Sequence, residues 1–487
     1  MQKKQFVAKY QRIFEEIREK IVSGEYPFGF QLPTGKELCR MYSVSQITIS
    51  SVFAHLQESG LIHSVPHKGS FVCYDPMDDY FRHAVPCKKK AKIIHALISP
   101  TPVYLNIMNH LANIFMQNNP GVDISLLELR RKGNADPYLE LRETQTLPSC
   151  GEFFWHARYA QDNMLYPLEG MPGFETLRQS LYTQFVYPTA DSGGESHIHA
   201  LPLFLGIPIF MILNRDICKK AGVDLKTPRS WPKLLKLTKE LSEANRKNLH
   251  FCITSMNAPH GYGGVKPWVE MLGQDFFSHG MQCADSEFFR KIFTTPGALS
   301  ALKNMESLIQ NGIVRYQKGM EYFALGNTAF MPFSTNWTLT LIRAIMPDID
   351  KLIFAPPPVG RNRIYRSFAS TFSVGIFQQG IRSEFQKGIA WKWLRFLLHP
   401  QSQYLISREY RLPIRENVPI FLKENEPELY EFSSAILTKA IPQPDFVGMR
   451  KSYGIAGRHI AAFLRHQLTP EQCLQNIVSD LEKLSIQ

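Results

Sequence analysis

The 487-residue chain has little cysteine, and what it has is scattered. Cys39, Cys73, Cys87, Cys150, Cys218, Cys252, Cys283 and Cys473 form no C-x-x-C pair. Low density and irregular spacing argue against a disulfide framework and a zinc-ligand set, and point to reduced thiols in a cytosol. A secretory signal is also missing: MQKKQFVAKYQRIFEEIREK is basic but has no apolar core and no cleavage-site pattern. The longest apolar run, LFLGIPIFMIL (Leu203–Leu213), is too short to span a bilayer and is broken by Gly206 and Pro208. There is no internal repeat and no low-complexity stretch. Catalytic order is absent too: no Ser/His/Asp, Cys/His or paired-carboxylate pattern stands out. GYGGVKP lacks the Gly-Lys-Ser/Thr ending of a phosphate loop, and His197-x-His199 lacks a third ligand at metal spacing. These absences predict a soluble cytoplasmic protein of two or three domains, without enzymatic activity, metal, cofactor or membrane contact.

What is present begins with a net charge of +12 and 44% hydrophobic residues. That is enough apolar side chain for globular cores, and the charge suits an anionic partner without naming one. Phe6, Tyr10, Ile13, Phe14, Ile17 and Ile21 recur at helical steps and predict an amphipathic helix ending near Gly24. TGKE (Thr34–Glu37) has the form of a capping box and opens a second helix, with Leu38 and Met41 as its inner face. YSVS makes a turn and Ser45 caps a third helix. Ile49, Val52, Phe53 and Leu56 give that helix a buried face before Gly60 stops it. LIHSV and SFVCY read as two strands joined by a basic tip, PHKG. Helix, helix, turn, helix, hairpin is the order of a winged helix–turn–helix, which sets its third helix in a DNA major groove.

The stretch LPTGKELCRMYSVSQITISSVFAHLQESGLIHSVPHKGSFV (Leu32–Val72) resembles the DNA-binding domain of GntR-family bacterial transcription regulators. It carries the Leu-Pro before the second helix, the Tyr-x-Val-Ser turn, the Leu-x-x-x-Gly-Leu-Ile end of the third helix and the Gly-x-Phe-Val wing. The resemblance implies a double-stranded DNA operator contacted by Lys36, Ser45, Gln46, Thr48, Ser50, His67, Lys68 and Gly69. It also implies a homodimer, since relatives pair through their effector domains. Lys36, Gln46 and Ser50 stand where the family usually has arginine. Glutamine can still pair with adenine and lysine can still meet a phosphate, but fewer guanidinium forks imply weaker or differently specific binding.

Residues 1–75 are thus read as the DNA-binding domain. Residues 76–91, with mixed charges, two prolines and Lys88–Lys90, read as a surface connector. In the remainder, 92–487, KIIHALIS reads as a buried strand, and Val103, Ile107, Leu111, Ile114 and Phe115 as a helical stripe. NPGVDISLLEL reads as a turn and strand, and EFFWHA as a strand. Strands alternating with helices predict an α/β layout with a largely parallel sheet. Ligands of such sheets lie beyond the carboxyl ends of the strands.

This second module resembles family 1 extracellular solute-binding proteins, the maltose-binding-like class. The resemblance rests on HIHALPLFLGIPIFMILNRDICKKAGVD, TPRSWPKLLKLTKEL, FALGNTAFMPFSTNW, AWKWLRFLLHPQSQ and RLPIREN, in family order from about residue 92 to near residue 440. It implies two α/β lobes of the type II periplasmic-binding-protein kind, joined by a hinge. A sugar or oligosaccharide would lie in the cleft, its apolar face stacked on aromatic rings. Candidate contacts are Trp155 and His156, which end the EFFW strand, and Tyr104 after the first strand. Tyr262 and Trp268 follow in the Gly-rich PHGYGGVKPW loop, then Asn336 and Trp337 after FALGNTAFM, and Ser370 and Thr371 after RSFA. Trp231, Trp391 and Trp393 read as packing residues. Together the two resemblances imply a regulator whose large module senses a small effector for a small DNA reader. The alternative is a carbohydrate-binding protein whose helix–turn–helix no longer reads DNA.

Overall fold

The structure is a computed structural model. It describes residues 9–22, 26, 30–59, 61–65, 69–72, 90–130, 136–206, 209–223, 230–246, 252–255, 259, 261–277, 286–311, 314–315, 319–346, 351–357, 366–369, 371–408, 411–415, 427–437, 440–443 and 445–485. Its head is built from α1 (Lys9–Val22), α2 (Gly35–Tyr42), α3 (Gln46–Glu58), β1 (Ile62–Val65) and β2 (Gly69–Val72). The TGKE box forms as a true capping box. The Thr34 amide donates to the Glu37 carboxylate at 2.7 Å, and the Glu37 amide donates back to the Thr34 hydroxyl at 3.4 Å. Donation from the Thr34 amide, and from its hydroxyl, holds the Glu37 carboxyl below its usual range. Ser45 caps α3 by accepting from the Thr48 amide at 3.3 Å. Ile13, Ile17, Ile21, Leu38, Ile49, Val52, Leu56, Ile62 and Val72 close one small core. Met41 departs from expectation: it is 59% exposed. In so short a helix the inner face runs instead through Leu38, Cys39 and Tyr42.

The second module has two lobes. In chain order its strands are β3 (Ala91–Ile98), β4 (Val122–Leu129), β5 (Cys150–Phe153), β6 (Thr189–Ala190), β7 (Ser196–His197), β8 (Leu201–Gly206), β9 (Phe210–Asn214), β10 (Cys252–Ser255), β11 (Val314–Arg315), β12 (Thr328–Ser334), β13 (Leu352–Ala355), β14 (Phe368–Ala369), β15 (Thr371–Ile376), β16 (Arg411–Leu412) and β17 (Ile441–Pro442). Lobe one carries a six-stranded sheet, β16-β8-β15-β5-β3-β4, and lobe two a five-stranded sheet, β11-β10-β12-β9-β13. The largely parallel sheet expected from the sequence is mixed. β3 runs parallel to β4 and β5, but β15 lies antiparallel to β5 and β8. The βα units at the start of the lobe give the parallel part; β15 enters from the other lobe and runs the opposite way. Of the predicted linker, 76–91, only Lys90 and Ala91 fall within the described residues, and Ala91 already opens β3.

The first helix of lobe one, Pro102–Asn118, buries Tyr104, Met108, Leu111, Ala112 and Phe115. The stripe is rotated from the one expected, leaving Val103 exposed. Trp391 and Trp393 are packed in the Glu384–Leu397 helix, and Trp231 opens the Trp231–Asn245 helix in the lobe-two core.

The chain passes between the lobes at β8–β9, at β14–β15 and around β17, where β14 and β17 pair in parallel. One residue joins all three crossings. The Ser367 hydroxyl accepts from the Ile209 amide at 3.2 Å, and its carbonyl accepts from the Ile441 amide at 3.0 Å. The same hydroxyl donates to Glu270, which forms a fully buried ion pair with Lys266 one turn earlier in the Gly261–Leu272 helix.

Candidate ligand cleft and DNA-facing surface

The parallel strands β3 and β5 of lobe one point their carboxyl ends at a cavity of about 650 Å³. Ile98, at the end of β3, and Phe153–Trp155, at and past the end of β5, form one wall. Asp445–Ser452, at the start of the Met449–Leu464 helix, form the other with Leu481 and Leu484. Trp155 reaches across. Its indole packs against the lobe-two core and stacks on Tyr453, with centroids 6.1 Å apart and planes at 26°.

Beside it the lobes are pinned. The buried Asp445 carboxylate accepts from the backbone amides of His156 at 2.9 Å and Ala157 at 3.2 Å, and from the Tyr187 hydroxyl at 3.2 Å. His156 Nδ1 lies 3.1 Å from the same carboxylate. Burial pulls the His156 imidazole below its ordinary pKa, against the opposing pull of Asp445. A second bridge runs from Arg450 to Asp136 at 3.7 Å. Asp136 also accepts from the Tyr159 hydroxyl at 2.9 and 3.0 Å.

Of the expected ligand contacts, Trp155 lines the cavity, and His156 sits at its edge as part of the inter-lobe clamp. Tyr104 does not reach it. Tyr104 is buried in lobe one, donates to Glu152 and lies under the Arg411 guanidinium, 3.6 Å from the ring centroid. Thr371 is buried at the start of β15, opposite Leu205. PHGYGGVKPW is not a loop where it is described: Gly261–Leu272 is a helix. Val265, Trp268, Val269 and Leu272 are buried at helical spacing, so Trp268 packs against Phe333 and not into the cavity. Asn336 and Trp337 open the Asn336–Ile345 helix, but their side chains lie outside the described residues, as does that of Tyr262. Ser370 lies outside them altogether. Sequence reasoning missed Arg158, Tyr159, Asp136, Tyr187, Asp445, Arg450 and Lys451. The available signal was DFVGMRKSYG, a glycine turn opening a charged helix, past the point where the family pattern was followed.

His199 turns to the Thr189 hydroxyl at 3.0 Å. His197 instead lies among Glu169 at 3.8 Å, Glu195 at 3.5 Å and Asp191, with one ligand atom each of Asp191, Glu195 and His197 within 4.8 Å. This partly exposed group is the cluster with metal-ligand chemistry among the described residues.

On the head, Lys36, Ser45, Gln46, Ser50 and Gly69 are exposed, and Thr48 is half-buried with its hydroxyl 3.0 Å from that of Ser45. The Gln46 carboxamide is folded back: its oxygen accepts from the Cys39 thiol at 3.4 Å, and a Cβ at Gly35 would lie 2.6 Å from its nitrogen. Next to it Ile47 is 80% exposed. His67 and Lys68, at the wing tip, lie outside the described residues.

Among the described residues no helix is long and apolar enough to cross a membrane. Residues 9–72 match the gntR family of bacterial regulatory proteins, and residues 152–404 match the bacterial extracellular solute-binding proteins. An HTH-type transcriptional repressor of Salmonella typhimurium is 37% identical over 81 residues, 17% of this chain and 34% of that protein. A probable fructoselysine utilization operon transcriptional repressor of Escherichia coli is 36% identical over 63 residues, 13% of this chain and 26% of that protein. The chain therefore spans about a third or less of these curated relatives. The second module shares its fold with maltose-bound T. maritima MalE3 (TM-score 0.65, 21% identity, 81% of this chain and 99% of that one). It also resembles a cyclic alpha-maltosyl-1,6-maltose binding protein from Arthrobacter globiformis (TM-score 0.63, 16% identity, 80% and 98%). The chain belongs to the bacterial extracellular solute-binding protein family, and it carries at its head a GntR-family DNA-binding domain.

Proposed function

We propose that this protein is a ligand-responsive transcription regulator: the two-lobed module binds a small solute, a sugar or oligosaccharide, and binding changes the head's affinity for a DNA operator. The observation that carries this reading is Trp155, which leaves one lobe to stack on Tyr453 of the other at the rim of the inter-lobe cavity. A solute seated there touches both lobes, so it favours one arrangement of them, which is what coupling to DNA requires. A pyranose face suits the Trp155 ring, and Trp337 is the second stacking ring in this reading. The solutes named for the structural neighbours, maltose among them, support a sugar. The protein acts in the cytoplasm, beside its DNA, as a homodimer on a near-palindromic site. Sedimentation of the DNA complex tests the dimer; one protomer per operator refutes it.

A coupling of about 1–3 kcal/mol would change operator affinity by roughly 5–150-fold. The test follows operator occupancy while sugar is titrated into wild type and Trp155→Ala. The variant should bind operator yet respond only at far higher sugar. A wild-type response in the variant refutes the site. The second reading, a sugar-binding protein that has lost DNA recognition, is favoured by the folded-back Gln46 carboxamide and by Ser50 in place of arginine. No shift of any DNA from the neighbouring intergenic region would favour it.

A further inference from the structure

The cavity wall is rich in cationic donors, and its carboxylates are bonded within the protein. Arg158 enters it from lobe one, Arg450 and Lys451 from lobe two. Its two carboxylates are already committed. Asp445 is filled by two backbone amides and the Tyr187 hydroxyl. Asp136 accepts from the Tyr159 hydroxyl and, at 3.0 Å, from the Tyr138 amide, and it faces Arg450. The partner of Arg158 is Asp162 at 3.0 Å, and that carboxylate also takes Arg142 at 2.6 Å. Among the described residues no carboxylate forms an ion pair with Lys451. Arg450 and Lys451 also stand in the first turn of the Met449–Leu464 helix, which holds no acidic residue. The usual choice there is acidic, because the helix end is itself positive.

A neutral sugar brings as many hydroxyl donors as acceptors, and the strongest acceptors of this wall, its two carboxylates, are already assigned. A ligand with its own negative charge reverses the match. Guanidinium groups fit phosphate and carboxylate geometry with paired bonds, and lysine adds a point charge. Resting on the sugar-sensor reading, we infer that the effector is an anionic sugar, bearing a phosphate or a carboxylate held by Arg158, Arg450 and Lys451. Because these cations come from both lobes, an anion that contacts all three draws the lobes together. The ligand's charge, and not only its ring, then selects the closed arrangement.

The test begins with the full chain incubated with a small-molecule extract of bacterial cells, freed of unbound solute and denatured. Released compounds are identified by mass spectrometry, with a known sugar-binding protein as control. The expected catch is a sugar that binds anion-exchange resin. In titration with the purified compound, Lys451→Met and Arg158→Met should each weaken binding about tenfold or more. Maltotriose, as a neutral probe, should not displace it. Both substituted side chains are exposed, and unchanged melting of the variants separates lost charge from lost fold. Phosphatase treatment that abolishes binding identifies a phosphate; survival of binding identifies a carboxylate. A neutral sugar in the catch, or displacement by maltotriose, overturns the anionic assignment and leaves the sugar sensor standing. An anionic sugar bound equally by both variants overturns the assigned contacts. A non-sugar catch, or none while the control retains its own, overturns the sensor reading and this inference with it.

Discussion

Replacing Lys266 by methionine isolates what the buried pair at the hinge does. Lys266 is 2% exposed and Glu270 0%. Methionine keeps the stem's volume and removes only the ammonium, so Glu270 is left buried with the Ser367 hydroxyl and the Phe368 amide as neutral donors. Removing one member of a buried pair costs about 3–5 kcal/mol. At about 2.1 cal/mol/K per residue, 1 kcal/mol moves the melting midpoint of so large a module by roughly 1–2 °C, so the midpoint should fall by about 3–10 °C. The pH dependence has a definite sign. Burial raises the Glu270 carboxyl above its usual range, and Lys266 pulls against that rise. Without Lys266 the folded-state pKa climbs further. A carboxyl whose folded pKa is raised contributes stability that is complete below its unfolded pKa and lost as pH rises through the folded value. The Lys266→Met deficit should therefore be small near pH 5 and large near pH 8. Lys266→Met combined with Glu270→Gln has nothing left to titrate there and should recover much of the loss at all pH values. Urea unfolding followed by tryptophan emission measures all three proteins, since Trp231 and Trp268 lie in the lobe-two core. A neutral-pH loss under about 1 kcal/mol, a loss independent of pH, or a double variant no better than the single would refute the argument.

Burial lowers the pKa of both His156 and His199. Their contribution is present above the unfolded imidazole value and lost as pH falls through the folded one. Melting midpoints should drop on acidification, with a shallower slope in His156→Gln. At Gly380 an added Cβ would sit 1.8 Å from the Pro148 carbonyl oxygen, so Gly380→Ala should destabilise by about 1–3 kcal/mol or more. Gly170→Ala, with nothing within 4 Å, should fall within about 0.5 kcal/mol in the same denaturant series. On the head, Lys36→Ala should weaken binding to all DNA sequences and flatten the salt slope by about one unit. Ile47→Ala should instead relax preference at a thymine whose methyl the exposed side chain would cover. Sequence sets selected by each variant distinguish the two effects.

The head was almost fully legible because its signals are local. Thr34 and Glu37 are three residues apart and Ser45 and Thr48 likewise, so cap chemistry can be read without knowing the fold. The α/β character of the second module was legible for the same reason. The direction of β15 was not, because it depends on which lobe the chain has just left. Nor was the Gly261–Leu272 helix: three glycines and Pro267 mark a loop by propensity. The competing signal was the 265, 268, 269, 272 spacing of its buried face. Tertiary contact won there: Gly457 lets the Met449–Leu464 helix approach so closely that a Cβ would meet Val265 at 2.6 Å.

The cleft divides along the same line. Trp155 could be placed because it follows its own strand by two residues, and strand ends are where such folds open. Its counterparts are separated from it by some three hundred residues, and only the hinge brings them near. Asp445 meets the His156 amide across 289 positions of sequence. No periodicity spans that distance. What fixes it is the Ser367 junction, where Ile209 and Ile441 bond to one residue and all three crossings are held in register. A side chain at the start of the last lobe-two helices can therefore be assigned to the cavity only once those crossings are known. This also explains why aromatic residues chosen by composition divided as they did. Tyr104 and Trp268 are buried in hydrophobic cores, one of which continues from lobe one into the lobe-two sheet, whereas Trp155 lines the cavity between the lobes.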